Sequence, residues 1–339
     1  MTSSKRIEYV DLAKGICISL VVLFHIFRAC MIGHSFEETP LMAFLMNDLL
    51  GSFRMPFYFF LSGLFYKQYE GNFTFIKKKI NKLLIPFLFV FFVTIVLRNI
   101  AEYVINPTYH IDALKNDIIH LKPNTPIWFL LCLFNINIIY YIIDKVFKNK
   151  FISSIILTLI CFWGFYLRKI GTYDPIYVIS GLTYMPFYWG GYWTRKETGL
   201  LNKPFVKSDW VFILALSSLL FANTYLFGQS YYNNRYLIVE IIHWVLGGFT
   251  GTFAMLILAK RITKALIISY VGRYSIVVLC THLLVIRIIF HIWPMLPSIP
   301  LWAKLVSELI VVLLISVPII KFCIRYLPYF FAQKDVIKC

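Results

Sequence analysis

The sequence has few charged residues, and acidic residues are especially scarce. Only 14% of its 339 residues are charged, and 33 lysines and arginines stand against 16 aspartates and glutamates. Ordinary soluble domains carry about 25% charged and about 45–50% apolar residues. With 60% hydrophobic residues in repeated runs, this chain has more apolar segments than a soluble fold could bury. The composition therefore excludes a soluble enzyme and predicts an all-α polytopic integral membrane protein.

The common catalytic and metal-binding motifs are also absent. The seven cysteines form no Cys-x-x-Cys pair and no regular spacing, so neither a disulfide framework nor a zinc site is indicated. The chain has no Gly-x-Ser-x-Gly elbow, no His-Glu-x-x-His helix, no P-loop and no dinucleotide-binding glycine motif. We therefore expect no metal. The titratable groups that remain as candidates lie within the apolar runs.

Ten apolar runs predict about ten transmembrane helices in a single membrane-embedded domain, residues 1–339. The predicted spans are 12–33, 43–66, 83–105, 126–143, 151–168, 175–193, 210–228, 236–259, 266–290 and 300–325. Lysine and arginine concentrate in alternate loops, which predicts that both termini are cytoplasmic. Short basic loops contact anionic lipid, so the net charge of +17 does not indicate nucleic acid as a partner. We expect a multi-pass protein of the bacterial inner, or plasma, membrane.

The first predicted span contains an unusual line of polar residues. Lys14 and His25 are eleven residues apart, about three helical turns, and therefore share one helix face. Asp11 and Arg28 lie on the same side. Charged and titratable side chains are costly in a membrane and need a reason. Either this face lines a passage that reaches His25 near mid-depth, or His25 is buried and bonded to a neighbouring helix.

Four segments of the chain resemble the acyltransferase-3 family of integral-membrane acyltransferases. They are DLAKGICISLVVLFH (11–25), FRMPFYFFLSGLF (53–65), PIWFLLCLF (126–134) and VGRYSIVVLCTHLLVI (271–286). Members of that family have a basic residue ten residues before a histidine, and here Lys14 precedes His25. The second and third segments look closest to the fucose 4-O-acetylase-like and polysaccharide O-acetyltransferase branch.

The resemblance implies an O-acyltransferase that moves an acetyl group from cytoplasmic acetyl-CoA to a hydroxyl of a cell-surface or lipid-linked carbohydrate. Acetyl-CoA is then the expected acyl donor, and a carbohydrate is the expected acceptor. An acyl transfer of this kind needs a base or an acyl carrier, and imidazole serves as either near neutral pH. His25 is expected in that role, with Lys14 and Asp11 positioning or tuning it.

A basic segment, FTFIKKKINKLLIP (73–86), leads into the third predicted span. The family usually has Arg-x-x-Arg here shortly before a proline, whereas this chain has Lys79 and Lys82 before Pro86. Lysine keeps the charge but lacks the bidentate guanidinium. Together with Lys78, these two lysines are expected to hold the phosphates of CoA. The alternative is that they only anchor the span at the cytoplasmic surface.

Five further polar residues in or beside apolar runs are candidates for the substrate site. They are Arg54, Arg98, Glu240, His243 and His282. Each also has a structural interpretation: Arg54 as a surface anchor, Arg98 in an ion pair with Glu102, and the others in contacts between helices.

Two other function classes also suit this sequence. Intramembrane arginine, glutamate and histidine on a protein with a basic cytoplasmic side would serve a transporter or flippase for a lipid-linked sugar or an anionic solute. The third possibility is a non-catalytic partner in glycan export. Consumption of acetyl-CoA separates the acyltransferase from both alternatives.

Overall fold

The computed structural model describes residues 8–32, 39–69, 71–105, 126–199, 201, 203–228, 236–263, 265–292 and 299–338, without the side chains of residues 98, 101–105, 291 and 292. All regular secondary structure in these residues is helical. The chain forms two compact units. The first unit comprises Met1–Phe65 and Phe187–Lys321, and the second comprises Tyr66–Pro186 and Phe322–Cys339. The single domain expected from the sequence stays a prediction.

The helices follow the apolar runs of the sequence. In chain order the α-helices are α1 (Glu8–Cys30), α2 (Pro40–Ala43), α3 (Leu50–Gly63), α4 (Asn72–Lys79), α5 (Ile85–Ile105), α6 (Trp128–Val146), α7 (Lys150–Lys169), α8 (Val178–Glu197), α9 (Asp209–Phe227), α10 (Leu237–Ile262), α11 (Leu266–Arg273), α12 (Ser275–Ile292) and α13 (Leu301–Tyr326). Two π-helical segments, Phe44–Leu49 and Ile80–Leu84, join α2 to α3 and α4 to α5.

The predicted membrane fold is confirmed, although the number of spans is not. Within the described residues, seven helices are long and apolar enough to cross a membrane: α1, the continuous helix Asn72–Leu97, α6, α7, α9, α10 and α13. The bent pair α11–α12 raises this number to eight. The predicted spans 43–66 and 175–193 also form helices, but these are not among the seven. The count of about ten and the cytoplasmic termini stay predictions.

The ninth predicted span is wrong as a single helix. Its apolar run predicted one continuous helix over 266–290, but α11 and α12 meet at an angle of 102°. The break falls at Tyr274, whose φ of −114° and ψ of 33° lie outside the α-helical region. Hydropathy records how apolar a segment is but not its direction, so a bend between two apolar helices leaves no trace in that pattern.

The first unit is built around α1, which packs against α3, α10, α11 and α12. Its crossing with α11 is close enough for the two backbones to touch. A Cβ atom on Gly272 would lie 2.0 Å from the carbonyl oxygen of Asp11, and one on Gly15 would lie 2.0 Å from that of Ile268. Glycine is therefore required on both helices, as is common where membrane helices approach closely. Helix α10 also approaches α3 closely at a glycine, where a Cβ on Gly251 would meet the Phe53 ring.

The second unit contains the other π-helical segment. Helix α6 packs against α4, α5 and Ile80–Leu84. The ring of Pro86 would clash with the carbonyl of the residue four positions earlier in a regular α-helix, and the wider π turn just before it relieves that conflict. Within the π segment, the buried Asn81 side chain accepts hydrogen bonds from the backbone N–H groups of Val336 and Ile337 and donates one to the Ile337 carbonyl. The C-terminal segment is thereby fixed against α4 and α5.

Candidate functional site

Two histidines from distant parts of the sequence meet in the first unit. His25 on α1 and His282 on α12 have ring centroids 5.3 Å apart, with an angle of 50° between the ring planes. The first is half-buried, and the second is fully buried. The expectation that both residues belong to one site therefore has a geometric basis, because two imidazoles at this distance can exchange a proton directly or through one water.

The ring of His282 is held in one orientation. Its Nδ1 lies 2.8 Å from the carbonyl oxygen of Val278, one turn earlier on α12. A carbonyl only accepts hydrogen bonds, so Nδ1 must be the donor. In the neutral ring Nε2 then carries the lone pair, and this buried atom has no hydrogen-bond partner in the described part of the chain. A buried acceptor without a partner is costly and calls for an explanation, which a role beside His25 would provide.

Arg54 lies on the same side of the first unit as His25. Its guanidinium lies over the ring of Phe24, 3.6 Å from the ring centroid, and Phe24 is edge-on to His25 at 5.5 Å. The thiol of Cys17 on α1 donates to the Arg54 carbonyl, with an S···O distance of 3.5 Å. Of the two sequence interpretations for Arg54, this placement favours the one in which it faces the site.

Lys14 lies about three turns from His25, roughly 16 Å along α1. Its ammonium is 3.8 Å from the centroid of the Phe65 ring, at the end of α3. The guanidinium of Arg195 on α8 lies 5.9 Å from the same ring and donates to the Leu64 carbonyl at 2.7 Å. Phe65 is 48% exposed, so the two cations flank an accessible aromatic ring. The structure thus places a cationic cluster at one end of α1 and the histidine pair further along the same helix.

The side chains between these two groups on the same face of α1 are apolar and buried. Ile18 and Val21, which separate Lys14 from His25 on this face, are 0% and 3% exposed. Asp11 is half-buried one turn before Lys14, next to the crossing of α1 with α11. The predicted polar passage along this face of α1 therefore stays a prediction.

Glu240 and His243 lie on α10. The backbone carbonyl of His243 accepts a hydrogen bond from the Asn223 side chain of α9 at 3.1 Å, and its ring lies 6.3 Å from that of Phe227. His243 is buried, and Glu240 is half-buried in the first turn of the helix. These contacts of His243 are with α9, which favours the helix-contact interpretation of this residue.

Arg98 belongs to α5 by its backbone, but its side chain and that of Glu102 are outside the described residues. Its assignment to the substrate site therefore stays a prediction. Among the residues that the structure does describe, no group of three histidine, cysteine, aspartate or glutamate side chains could hold a metal ion.

The lysines expected to bind CoA lie in the second unit, on α4 and the π segment that follows. The ammonium of Lys79 is 5.3 Å from the centroid of the buried Phe75 ring, and that of Lys78 is 5.5 Å from the Tyr69 ring. Lys82 is exposed. Phe75 stacks on Tyr141 of α6 at 4.1 Å, which fixes the helix that carries these cations. The arrangement forms a cationic surface beside packed aromatic rings.

Three features of these sites were missed in the sequence. The pairing of His25 with His282 has no local signal, since it depends on how α1 and α12 pack. Arg195 has one weak signal: it follows an aromatic run at the end of a helix, where basic residues are common for reasons of membrane orientation. The π-helical segment at Ile80–Leu84 has a better signal, because a proline follows it at position 86.

Comparison with known proteins gives one match. A family model described as an acyltransferase domain matches residues 7–321. No curated protein and no solved structure matches the chain. The matched range includes both histidines, Arg54, Lys14 and the lysines at positions 78, 79 and 82.

Proposed function

Because this chain belongs to the acyltransferase-3 family, we propose that it is a membrane-bound O-acyltransferase whose reaction centre is the pair His25–His282. The match to residues 7–321 and the helical membrane fold make the chain a membrane acyltransferase. They confirm the family that the four sequence segments predicted. The acyl donor, the acceptor and the reacting residues are what we propose beyond the family. The observation that carries it is the approach of two histidine rings within 5.3 Å in the first unit.

The proposed donor is acetyl-CoA, and the proposed acceptor is a hydroxyl of a cell-surface or lipid-linked carbohydrate. In direct transfer, His25 takes the proton of the hydroxyl while its oxygen bonds to the thioester carbonyl carbon. The carbon–sulfur bond then breaks, and CoA leaves as a thiolate that receives the proton. The products are the acetyl ester and free CoA.

An acyl-carrier route uses the same ring. A nitrogen of His25 attacks the thioester carbonyl carbon, the carbon–sulfur bond breaks, and CoA leaves as a thiolate that takes the N–H proton of the ring. The acetyl group is held on the imidazole until the hydroxyl displaces it and returns its proton to the ring. The two routes differ in one measurable respect. Only the acyl-carrier route releases CoA stoichiometrically with the enzyme before any acceptor is added.

His282 has the role of a positioning residue in this proposal. Its Nδ1 proton is committed to the Val278 carbonyl, so Nε2 is left to accept a hydrogen bond. We expect Nε2 to accept that bond from the ring of His25 when His25 has taken the acceptor proton, directly or through one water. The hydrogen bond would hold the ring of His25 and favour its protonated form in the transition state.

The cations have two proposed tasks. Arg54, beside His25, stabilises the negative charge that develops on the thioester oxygen. Lys14 is too far along α1 to touch the imidazole, so its proposed partner is the bound donor, and Asp11 positions the helix end that carries it. The surface with Lys78, Lys79 and Lys82 holds the phosphates of CoA as point charges.

The test is an acetyl-transfer assay with the purified protein, radiolabelled acetyl-CoA and a panel of candidate glycans. We compare the wild type with His25→Gln and with the matched variant His243→Gln, which changes a different histidine of the same unit. Loss of a general base typically costs about 10²–10⁴-fold in rate. We expect that loss for His25→Gln and nearly normal transfer for His243→Gln.

Two results would contradict the proposal. Transfer at the wild-type rate by a folded His25→Gln variant would exclude His25 as base or carrier. An equal loss in both variants would indicate damage to the first unit and not removal of a reacting group. Thermal unfolding in detergent, measured on all three proteins, separates these results from simple misfolding.

A transporter or flippase is the second candidate function, and one observation favours it. Broken helices within the membrane often form substrate sites in transporters, and α11 and α12 form such a break at 102°. Movement of a labelled glycan across a proteoliposome without acetyl-CoA consumption would support this function over acyl transfer.

A further inference from the structure

A separate cavity of about 380 Å³ lies in the first unit between the segment before α9 and the last turns of α10. Two lysines, Lys203 and Lys260, contribute to its lining together with the apolar side chains of Val206, Phe212 and Ile257. None of these residues belongs to the histidine pair or to the cationic cluster around Phe65. The cavity therefore has no role in the proposed acyl transfer.

The walls of this cavity are fixed by hydrogen bonds. Lys260 is only 6% exposed, and its ammonium donates to the Lys203 carbonyl at 3.3 Å. On the neighbouring stretch, the Tyr9 hydroxyl donates to the Leu201 carbonyl at 2.7 Å. The acidic residue of the lining, Asp209, accepts the backbone N–H of Val206 at 2.9 Å. The loop is thus tied to α1 and α10. The cavity lining holds one carboxylate, Asp209, against two lysines, so its net charge is positive.

The apolar side of the cavity continues onto a surface that faces lipid. Helix α9 begins at Asp209 and is a candidate membrane span. Only 17% of its apolar stretch is buried inside the protein. Phe212, in its first turn, lines the cavity and is 59% exposed. A molecule with an anionic head in the cavity would therefore have its apolar part beside α9, in the hydrocarbon region.

We propose that this cavity binds the phosphate headgroup of an anionic phospholipid, with an acyl chain along α9. The charges of Lys203 and Lys260 match a phosphate, and the adjoining lipid-facing helix matches an acyl chain. Basic pockets of membrane proteins at the membrane surface recognise lipid headgroups in this way. A soluble anion would match the lysines but would leave the apolar wall unoccupied.

Native mass spectrometry of the full-length protein in detergent tests the proposal, with phosphatidylglycerol, phosphatidylcholine and CoA as separate probes. We expect retention of phosphatidylglycerol over phosphatidylcholine. A lysine near an anionic lipid contributes enough for its loss to weaken binding about five-fold, so Lys203→Gln and Lys260→Gln should each lower retention by that factor. Lys203→Arg, which keeps the charge, should retain the lipid.

The matched control is Lys207→Gln, which removes an exposed lysine of the same loop that does not line the cavity. If Lys207→Gln lowers retention as much as Lys203→Gln, binding is general surface electrostatics and the proposal is wrong. Displacement of phosphatidylglycerol by CoA would assign the cavity to the donor instead. Because Lys203 is exposed, its variants keep the test decisive even if Lys260→Gln does not fold.

Discussion

The histidine pair of the first unit and the lysine surface of the second unit are assembled in different ways. His25 and His282 come from distant parts of the chain, and the second is fully buried. Lys78, Lys79 and Lys82 are neighbours in sequence, are half-buried or exposed, and lie on one short stretch of helix. A site of the first kind depends on how several helices pack. A site of the second kind depends on the local sequence and its charge.

This difference predicts how mutations should affect catalysis at the first site and donor binding at the second. Packing errors in the first unit should remove the chemistry, because a shift of about 1 Å between reacting groups can cost about 10²-fold in rate. Loss of one charge from the lysine surface should weaken donor binding gradually, since exposed cations act nearly independently and are screened by salt. Three sets of variants examine the contrast.

The largest effect is expected from Gly272→Ala. The added Cβ would lie 2.0 Å from the Asp11 carbonyl oxygen, so α1 and α11 would have to separate and His25 would move with α1. Overpacking of this kind costs about 1–3 kcal/mol or more. We expect acetyl transfer to fall to background and the thermal midpoint in detergent to drop.

Gly51→Ala is the matched control, since its Cβ would have its nearest neighbour at 4.0 Å. It should keep both activity and thermal midpoint. Similar behaviour of the two glycine variants would show that the crossing of α1 and α11 does not control the site.

The second effect concerns His282→Asn. The asparagine amide can keep the donation to the Val278 carbonyl but has no counterpart of Nε2. If Nε2 holds the ring of His25, kcat should fall about 10–100-fold, with KM for acetyl-CoA unchanged. A purely structural role predicts instead that His282→Asn is active and that only His282→Leu, which loses the donation as well, is destabilised. Steady-state kinetics and thermal unfolding on both variants decide between these roles.

The smallest effect is expected from Lys79→Gln and Lys82→Gln. Each should raise KM for acetyl-CoA about five-fold, as expected for the loss of one point charge to phosphate, with little change in kcat. The increase should shrink at high salt. Lys150→Gln, which removes an exposed lysine of the same unit, should leave KM unchanged. A fall in kcat for Lys79→Gln would mean that this lysine acts in the chemistry and would remove the contrast between the two sites.

Much of the architecture could be predicted from sequence because hydropathy is a local property. The apolar run after Asp11 predicted α1, and the spacing of Lys14 and His25 placed them on one helix face. The same reasoning missed the bend at Tyr274, since both sides of the bend are equally apolar. It also left His243 and His282 as equivalent candidates. Their environments separate them: one contacts α9 and the other faces His25.

The amino-acid sequence alone determined the class of this protein, its helical segments, its family and the residues from which a site had to be built. These follow from composition, helical periodicity and short segments, each of which is read within a few turns of chain. The tertiary structure decided which of those residues meet. It brought His282 to His25, placed Arg54 beside them and formed the cavity at Lys203 and Lys260. The physical reason is that helix pairing depends on close backbone contacts, such as that between Gly15 and Gly272, whose partners are distant in sequence.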